Sequence, residues 1–410
     1  MIRSKARRPV ALLVAPFVAM ALVASAGVGF ALGLARPPTE QPPGTGWFAR
    51  WVDDAGDDTV TELTATAADE QLSRRGQQTL SGANGALKGV PFESFDVRLA
   101  RSDRPDAGEV RSGRFQATAI VEYRLPLDEV LVGRTAAATF RLGPNGWRLV
   151  RLNASGRDLW DHEPVDVTEN GQTLVMARRG DLRLPGLGTL AEQARREVAD
   201  FWSARWPQTT VVVLPSTPRL LDPLAGLESG SDQVAVTLWA TGSEGPVIRV
   251  LMNPTVYDQM PTLARKIVLR HEITHVAQNA LPRDGVPTWL KEGLADYVSY
   301  RGSGIPDSFV GAQLLAKVRA TGVPEDLPDD SEFDLDRASA DRRVAYQSGW
   351  AFCQMVADAY GDDRLVPFYA AVARGEGSTD ERLNDAADEV LGTTFDDLRV
   401  QWQSWLTANA

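Results

Sequence analysis

The stretch His271-Glu272-Ile273-Thr274-His275 holds two of the three histidines of this 410-residue chain. Side chains four residues apart lie on the same face of an α-helix, so both imidazoles can reach one metal ion. Glu272 projects beside them, where its carboxylate can take a proton from a water molecule that the metal has made more acidic. The stretch therefore predicts a metal-binding helix that carries its own general base.

The flanking residues are compatible with such a helix. Leu263, Ile267 and Val268 recur at helical spacing before the histidines, as in an amphipathic helix. Pro261 suits the first turn, and residues 279–282 contain the asparagine and proline that are typical of a helix end. We therefore predict one helix that ends near residue 279 and is followed by a short loop.

A second predicted helix, at residues 289–297, contains Glu292 and Asp296 four residues apart. Here the chain resembles the gluzincins, a family of zinc peptidases. The resemblance implies that Glu292 is the third protein ligand, with His271 and His275, of one Zn²⁺ ion per chain. It also implies that Asp296 accepts the outer N–H of a ligand imidazole and so fixes the tautomer of that ring.

Three protein ligands with an open fourth position are typical of catalytic zinc, whereas structural zinc is usually enclosed by cysteines. Cys353 is the only cysteine of the chain, so a cage of three or four cysteines is excluded. We predict that Glu272 takes a proton from the attacking water and passes it to the leaving amine. Serine hydrolase chemistry is disfavoured because no Gly-x-Ser-x-Gly elbow is present, and the third histidine, His162, receives no role.

The resemblance also implies a donor for the oxyanion and an edge strand that pairs with an extended peptide. Tyr346, which we expect near the start of a later helix, is the candidate donor, and Tyr297, Tyr300 and Tyr257 compete for this role. Residues 246–253 form a predicted β-strand shortly before the metal-binding helix. This strand is either the substrate-binding edge strand or an ordinary strand of the sheet.

These features predict a hydrolase, a zinc metallopeptidase that acts on a peptide or protein substrate. Two other functions stay open: a non-catalytic, zinc-containing envelope protein that binds a partner, and a zinc amidase that acts on non-peptide bonds. Glu272 favours the peptidase, because a purely structural metal site does not need a base that is not itself a ligand.

The amino terminus suggests membrane localisation. Basic residues precede an uncharged, mainly apolar stretch at residues 9–35, which is long enough to cross a bilayer. We predict a single-pass anchor within residues 1–35, with the N-terminus in the cytoplasm and the catalytic domain outside. The alternative is secretion after cleavage of a signal peptide near Ala26.

The remaining chain is long enough for two domains of an α+β protein. A proline-rich linker is predicted at residues 36–45. Residues 46–160 are predicted to begin with helical segments and continue with antiparallel strands, an order that resembles the NTF2-like fold. Residues 165–410 are predicted to form the metallopeptidase domain, with a mixed sheet and a helical C-terminal part.

The chain is acidic, with a formal net charge of −11. It also lacks a basic patch with interleaved aromatic residues, so nucleic acid is not an expected partner. The sequence does not indicate an oligomeric state.

Overall fold

The computed structural model describes residues 89–99, 107–143, 146–153, 156–225, 235–241, 246–282, 285–334 and 338–410. These residues form two β-sheets and a helical C-terminal part, which agrees with the predicted α+β class. The predicted anchor, the predicted linker and the helical segments predicted before residue 89 lie outside the described residues. The NTF2-like assignment and the domain boundaries therefore stay predictions.

The first sheet contains four antiparallel strands in the order of the sequence. They are β1 (Ser94–Leu99), β2 (Arg114–Arg124), β3 (Val132–Gly143) and β4 (Gly146–Asn153), with a short helix α1 (Ala107–Ser112) before β2. Along β2, buried residues alternate with more exposed ones, because successive side chains of a strand point to opposite faces. The antiparallel strands predicted for this part of the chain are therefore confirmed.

The second sheet contains five strands in the order β5-β6-β7-β9-β8. They are β5 (Val165–Asn170), β6 (Thr173–Arg178), β7 (Thr210–Leu214), β8 (Ala235–Thr241) and β9 (Pro246–Met252). Strand β9 pairs in parallel with β7 on one side and antiparallel with β8 on the other. The strand predicted at residues 246–253 is therefore an interior strand, and β8 lies at the edge because it folds back along the outer side of β9.

Eleven further α-helices are described, and several of them cover the second sheet or pack against one another. In chain order they are α2 (Leu184–Phe201), α3 (Leu221–Ala225), α4 (Pro254–Gln259), α5 (Thr262–Gln278), α6 (Thr288–Tyr300), α7 (Asp307–Val310), α8 (Ala312–Thr321), α9 (Ser339–Tyr360), α10 (Leu365–Arg374), α11 (Thr379–Ala386) and α12 (Phe395–Asn409).

Helix α5 contains the histidine stretch and is buried on nearly all sides, although the sequence predicted an amphipathic helix. Ile267, Leu269 and Ile273 belong to a large hydrophobic core that also includes residues of α2, α6, α9 and one face of the second sheet. Arg270, also buried, donates a hydrogen bond to the carbonyl of Val298 on α6. The site helix is therefore held rigidly between the sheet and its neighbouring helices.

The opposite face of the second sheet packs against the end of the first sheet. Tyr123 and Trp160 belong to a second hydrophobic cluster that includes Val211 and Val213 of β7. Their rings are in edge contact, with centroids 5.0 Å apart. The two sheets therefore share buried apolar surface, which stabilises their association.

Helices α6 and α9 cross in direct backbone contact. A Cβ atom added at Gly293 would overlap the backbone of Gly349, and one added at Gly349 would overlap the carbonyl of Trp289. Glycine at both positions therefore allows an approach that any side chain would prevent. Because Gly293 follows Glu292 directly, this crossing also fixes the position of that glutamate.

The structure contradicts the predicted single-pass membrane anchoring. Across the part of the chain that the structure describes, no helix is both long enough and apolar enough to cross a bilayer. The longest described helix, α9, carries Asp341, Arg342 and Arg343 near its start. The predicted span at residues 9–35 lies outside the described residues, and so does the alternative cleavage position near Ala26. The predicted single-pass localisation is wrong on the finding that no described helix can cross a bilayer.

Candidate metal centre

Two adjacent helices bring the predicted ligands together. His271 and His275 lie one turn apart on α5, and Glu292 lies in the second turn of α6. The loop between these helices is short, and the Asp330 carboxylate accepts a hydrogen bond of 2.7 Å from the Thr288 amide at the start of α6. An acceptor at a helix N-terminus satisfies an amide that has no partner within the helix.

The ligand atoms of the three side chains form a small triangle. The Nε2 atoms of His271 and His275 are 3.1 Å apart, and each lies 3.3 Å from Oε2 of Glu292. Zinc bonds of 2.0–2.1 Å at tetrahedral angles would separate the ligand atoms by about 3.3 Å. The three atoms are therefore spaced as ligands of a single tetrahedral ion.

The outer nitrogens of both imidazoles face hydrogen-bond acceptors. His271 Nδ1 lies 2.8 Å from Asp296 Oδ1, and His275 Nδ1 lies 2.7 Å from Gln278 Oε1. In the neutral rings both protons therefore reside on Nδ1, and both Nε2 lone pairs point towards the carboxylate oxygen of Glu292. A cation among these three atoms relieves their mutual repulsion, so the residues fit a metal ion.

Burial strengthens the electrostatic interactions within this group. His271, Glu272, Glu292 and Asp296 are between 1% and 6% exposed. Burial alone would raise the pKa of Glu292, but the imidazoles of His275 and His271, when they are protonated, hold the pKa of that carboxyl well below its usual range. Glu292 is therefore a carboxylate at neutral pH, which is the form that binds a metal.

Glu272 lies beside the triangle but is not one of its corners. Its Oε2 accepts a hydrogen bond of 2.6 Å from the hydroxyl of Thr237 on the edge strand β8. Burial raises the pKa of the Glu272 carboxyl above its ordinary value. A raised pKa suits a group that must take up a proton and then release it.

The metal-binding group opens on a cavity of about 1680 Å³. His275 and Glu292 line it, together with Thr237 of the edge strand. Residues 325–330 and α11 contribute another part of its wall, and the first sheet contributes Arg134 and Thr135. A substrate considerably larger than a single amino acid can therefore reach the triangle.

The structure does not bring the predicted oxyanion donor to this cavity. Tyr346 lies two turns inside α9, which starts earlier than expected, and its buried ring packs at 5.1 Å against Phe333. Tyr346, Tyr297, Tyr300 and Tyr257 are all absent from the residues that line the cavity, whereas Tyr369 is among them. The catalytic role of Tyr346 stays a prediction.

The third histidine lies apart from the group. His162 is on the surface, with Nε2 at 2.7 Å from the carbonyl oxygen of Gly156. The sequence predicts no role for His162.

Two side chains of the site were missed in the sequence. Gln278 lies three residues after His275, a spacing that places both on one helical face and so could have indicated the contact. Thr237 lies on a distant strand, and no local pattern connects it with Glu272.

Comparison with known proteins gives a distant structural likeness. No family model and no curated protein sequence matches the chain. A solved structure of native yeast LTA4 hydrolase matches with a TM-score of 0.37 and 13% identity, over 58% of this chain and 39% of that one. The chain thus corresponds to well under half the length of that hydrolase.

Proposed function

We propose that this chain is a zinc-dependent peptidase. The observation that carries the proposal is the triangle of His271, His275 and Glu292, whose ligand atoms all lie within 4.8 Å of one another beside a buried glutamate. Two imidazoles and one carboxylate are a ligand set typical of catalytic zinc, and they leave a fourth position for water or substrate.

Zinc bound at this site would supply a Lewis acid that lowers the pKa of a coordinated water and polarises the scissile carbonyl. Glu272 then has the role of general base, accepting the proton of the attacking water at its carboxylate and delivering it to the departing amine. Thr237 holds the carboxylate through its hydroxyl. Asp296 keeps the Nδ1 proton of His271 in place.

The edge strand supports a peptide as substrate. Val236, Thr237 and Leu238 of β8 line the same cavity as His275. An extended peptide can add to an exposed sheet edge through main-chain hydrogen bonds, which recognise a polypeptide without regard to its side chains. A peptide so placed would pass next to the triangle.

The test uses the full chain and three single variants. Zinc content and cleavage of a mixed peptide library are measured for the unaltered protein, Glu272→Gln, His275→Gln and His162→Gln. Glu272→Gln should keep about one zinc per chain and lose cleavage by about 10³-fold or more, because it removes the base but no ligand. His275→Gln should lose both the zinc and the activity.

His162→Gln is the matched control, since it makes the same change at the histidine outside the group, and it should behave like the unaltered chain. Zinc binding without cleavage of any peptide in the library would contradict the peptidase proposal. A chain that binds no zinc would contradict the metal site itself.

A further inference from the structure

Gln278 is a buried polar side chain in contact with a ligand histidine, and the proposed chemistry does not use it. It ends α5, one turn after His275, and it is 4% exposed. A buried amide is costly unless its donors and its acceptor are paired. Here the two ends of the amide are paired with two different helices.

The acceptor end of the amide faces the metal site. Oε1 of Gln278 lies 2.7 Å from Nδ1 of His275, so that the imidazole donates its outer proton to the amide. This fixes the proton on Nδ1 and leaves Nε2 with a lone pair for a metal. It also fixes the rotation of the ring about its χ2 torsion.

The donor end of the amide reaches the other ligand-bearing helix. Nε2 of Gln278 donates a hydrogen bond of 2.8 Å to the carbonyl of Lys291 on α6. Lys291 directly precedes Glu292, the third corner of the triangle. One side chain therefore connects a ligand on α5 with the backbone that carries the ligand on α6.

An amide is suited to this bridge because it combines an acceptor and a donor at a fixed separation. A carboxylate could accept the proton of His275, but it would face the Lys291 carbonyl with a second acceptor. It would also add another negative charge to a site that already buries Glu272, Glu292 and Asp296.

We propose that Gln278 is a positioning residue for the metal site, which fixes the tautomer and orientation of His275 and the spacing between His275 and Glu292. This inference rests on the proposed function, since it assigns a role towards the same zinc. The Nδ1 atoms of the two histidines then have different hydrogen-bond partners, a carboxylate for His271 and a neutral amide for His275.

The test compares Gln278→Met, Gln278→Glu and the control Gln354→Met. Methionine has nearly the length of glutamine but replaces neither hydrogen bond. Gln354 lies on α9, and its side-chain amide donates a hydrogen bond to Asp358 within its own helix. Zinc affinity is measured by competition with a chelator, and Co²⁺ is used as a spectroscopic probe of ligand geometry.

Gln278→Met should weaken zinc binding by about 10- to 100-fold and alter the visible spectrum of the Co²⁺ form. Gln278→Glu should restore the Co²⁺ spectrum, because the acceptor for His275 remains, while zinc affinity stays below that of the unaltered chain. Gln354→Met should match the unaltered chain in both measurements.

Unchanged zinc affinity and an unchanged Co²⁺ spectrum in Gln278→Met would overturn the inference and leave the proposed function intact. If Gln278→Met does not fold, Gln278→Glu decides, and affinity equal to that of the unaltered chain would overturn the bridge to Lys291. Absence of zinc from the unaltered chain would overturn both proposals.

Discussion

Two buried polar clusters lie on opposite sides of the second sheet, and they differ in how their charges are balanced. In the cluster between the sheets, Arg249 forms two hydrogen bonds with Asp128, at 2.6 and 2.7 Å. Asp158 accepts hydrogen bonds from Tyr123 at 2.5 Å and from Arg134 at 3.3 Å. Asp128 and Asp158 are each matched by a guanidinium.

In the metal cluster on α5 and α6, Glu292 and Asp296 face imidazoles instead of guanidinium groups. It buries the carboxyl groups of Glu272, Glu292 and Asp296 with two imidazoles, and three of its lone pairs converge on one point. The cluster between the sheets is complete without a ligand and serves to hold the fold together. Under the proposed function a cation would balance the metal cluster, which is typical of a ligand site rather than of a structural cluster.

The largest effect is expected from breaking the balanced cluster. Arg249→Met leaves the Asp128 carboxylate, whose side chain is 2% exposed, without its counter-charge. We expect the free energy of unfolding to fall by about 3–5 kcal/mol, measured by chemical denaturation. Zinc affinity should not change.

The double variant Arg249→Met with Asp128→Asn is the control for that prediction. Asparagine can still accept the hydrogen bond of the Leu125 amide and carries no charge. Stability should recover by at least half of the loss. A loss of zinc affinity in the single variant, with stability unchanged, would show that the two clusters are not independent.

A smaller effect is expected at the contact between the edge strand and the proposed base. Thr237→Val keeps the shape of the side chain and removes the hydroxyl that holds Glu272. We expect kcat to fall about 10- to 100-fold, because a hydrogen bond to a charged group contributes about 1.5–3 kcal/mol. Zinc content and KM should stay the same.

Thr237→Ser keeps the hydroxyl and is the matched control, with kcat close to that of the unaltered chain. Equal kcat values for the valine and serine variants would refute a positioning role for this hydroxyl. A fall in zinc content instead of kcat would assign Thr237 to the architecture of the metal site.

The smallest effect concerns pH and the cluster between the sheets. Burial, followed by the neighbouring charge of Asp158, raises the pKa of Asp161 from 3.8 to about 7. The folded chain therefore holds a proton that the unfolded chain has released, so this group lowers stability as pH rises from about 4 to about 7.

Asp161→Asn should remove that dependence, because an amide oxygen can still accept from the Gly156 and Asp158 amides. Relative to the unaltered chain, we expect the variant to be more stable at pH 8 by about 1 kcal/mol, allowing for the partial exposure of Asp161. Unfolding midpoints at pH 5 and pH 8 measure this difference. The same pH dependence in both proteins would refute the assigned titration.

Local periodicity in the sequence predicted the elements better than their arrangement. The strands of the first sheet agree with the prediction because side-chain alternation is a local property. The strand order shows that β9 lies inside the sheet because it pairs with β7. These two strands are more than thirty residues apart in the sequence, so no local pattern predicts their pairing.

The same division holds for the site. The helical spacing of the histidines, and of Glu292 with Asp296, indicated a group that the structure does bring together. Thr237 could not be predicted, because its contact with Glu272 depends on the order of strands in the sheet. Tyr346 was chosen by resemblance alone, and it lies in a part of α9 that packs on Phe333.

The backbone contact between Gly293 and Gly349 helps to set the distance between Glu292 and the two histidines, although neither glycine carries a reactive atom. The distance from α6 to α9 is defined there by main-chain atoms alone, and Glu292 is carried along with it. A methyl group added at either glycine would push the two helices apart. Glu292, one of the three predicted metal ligands, would then move away from the two histidines. In a saturation scan for zinc retention, two residues without any functional group would therefore rank beside the ligands themselves.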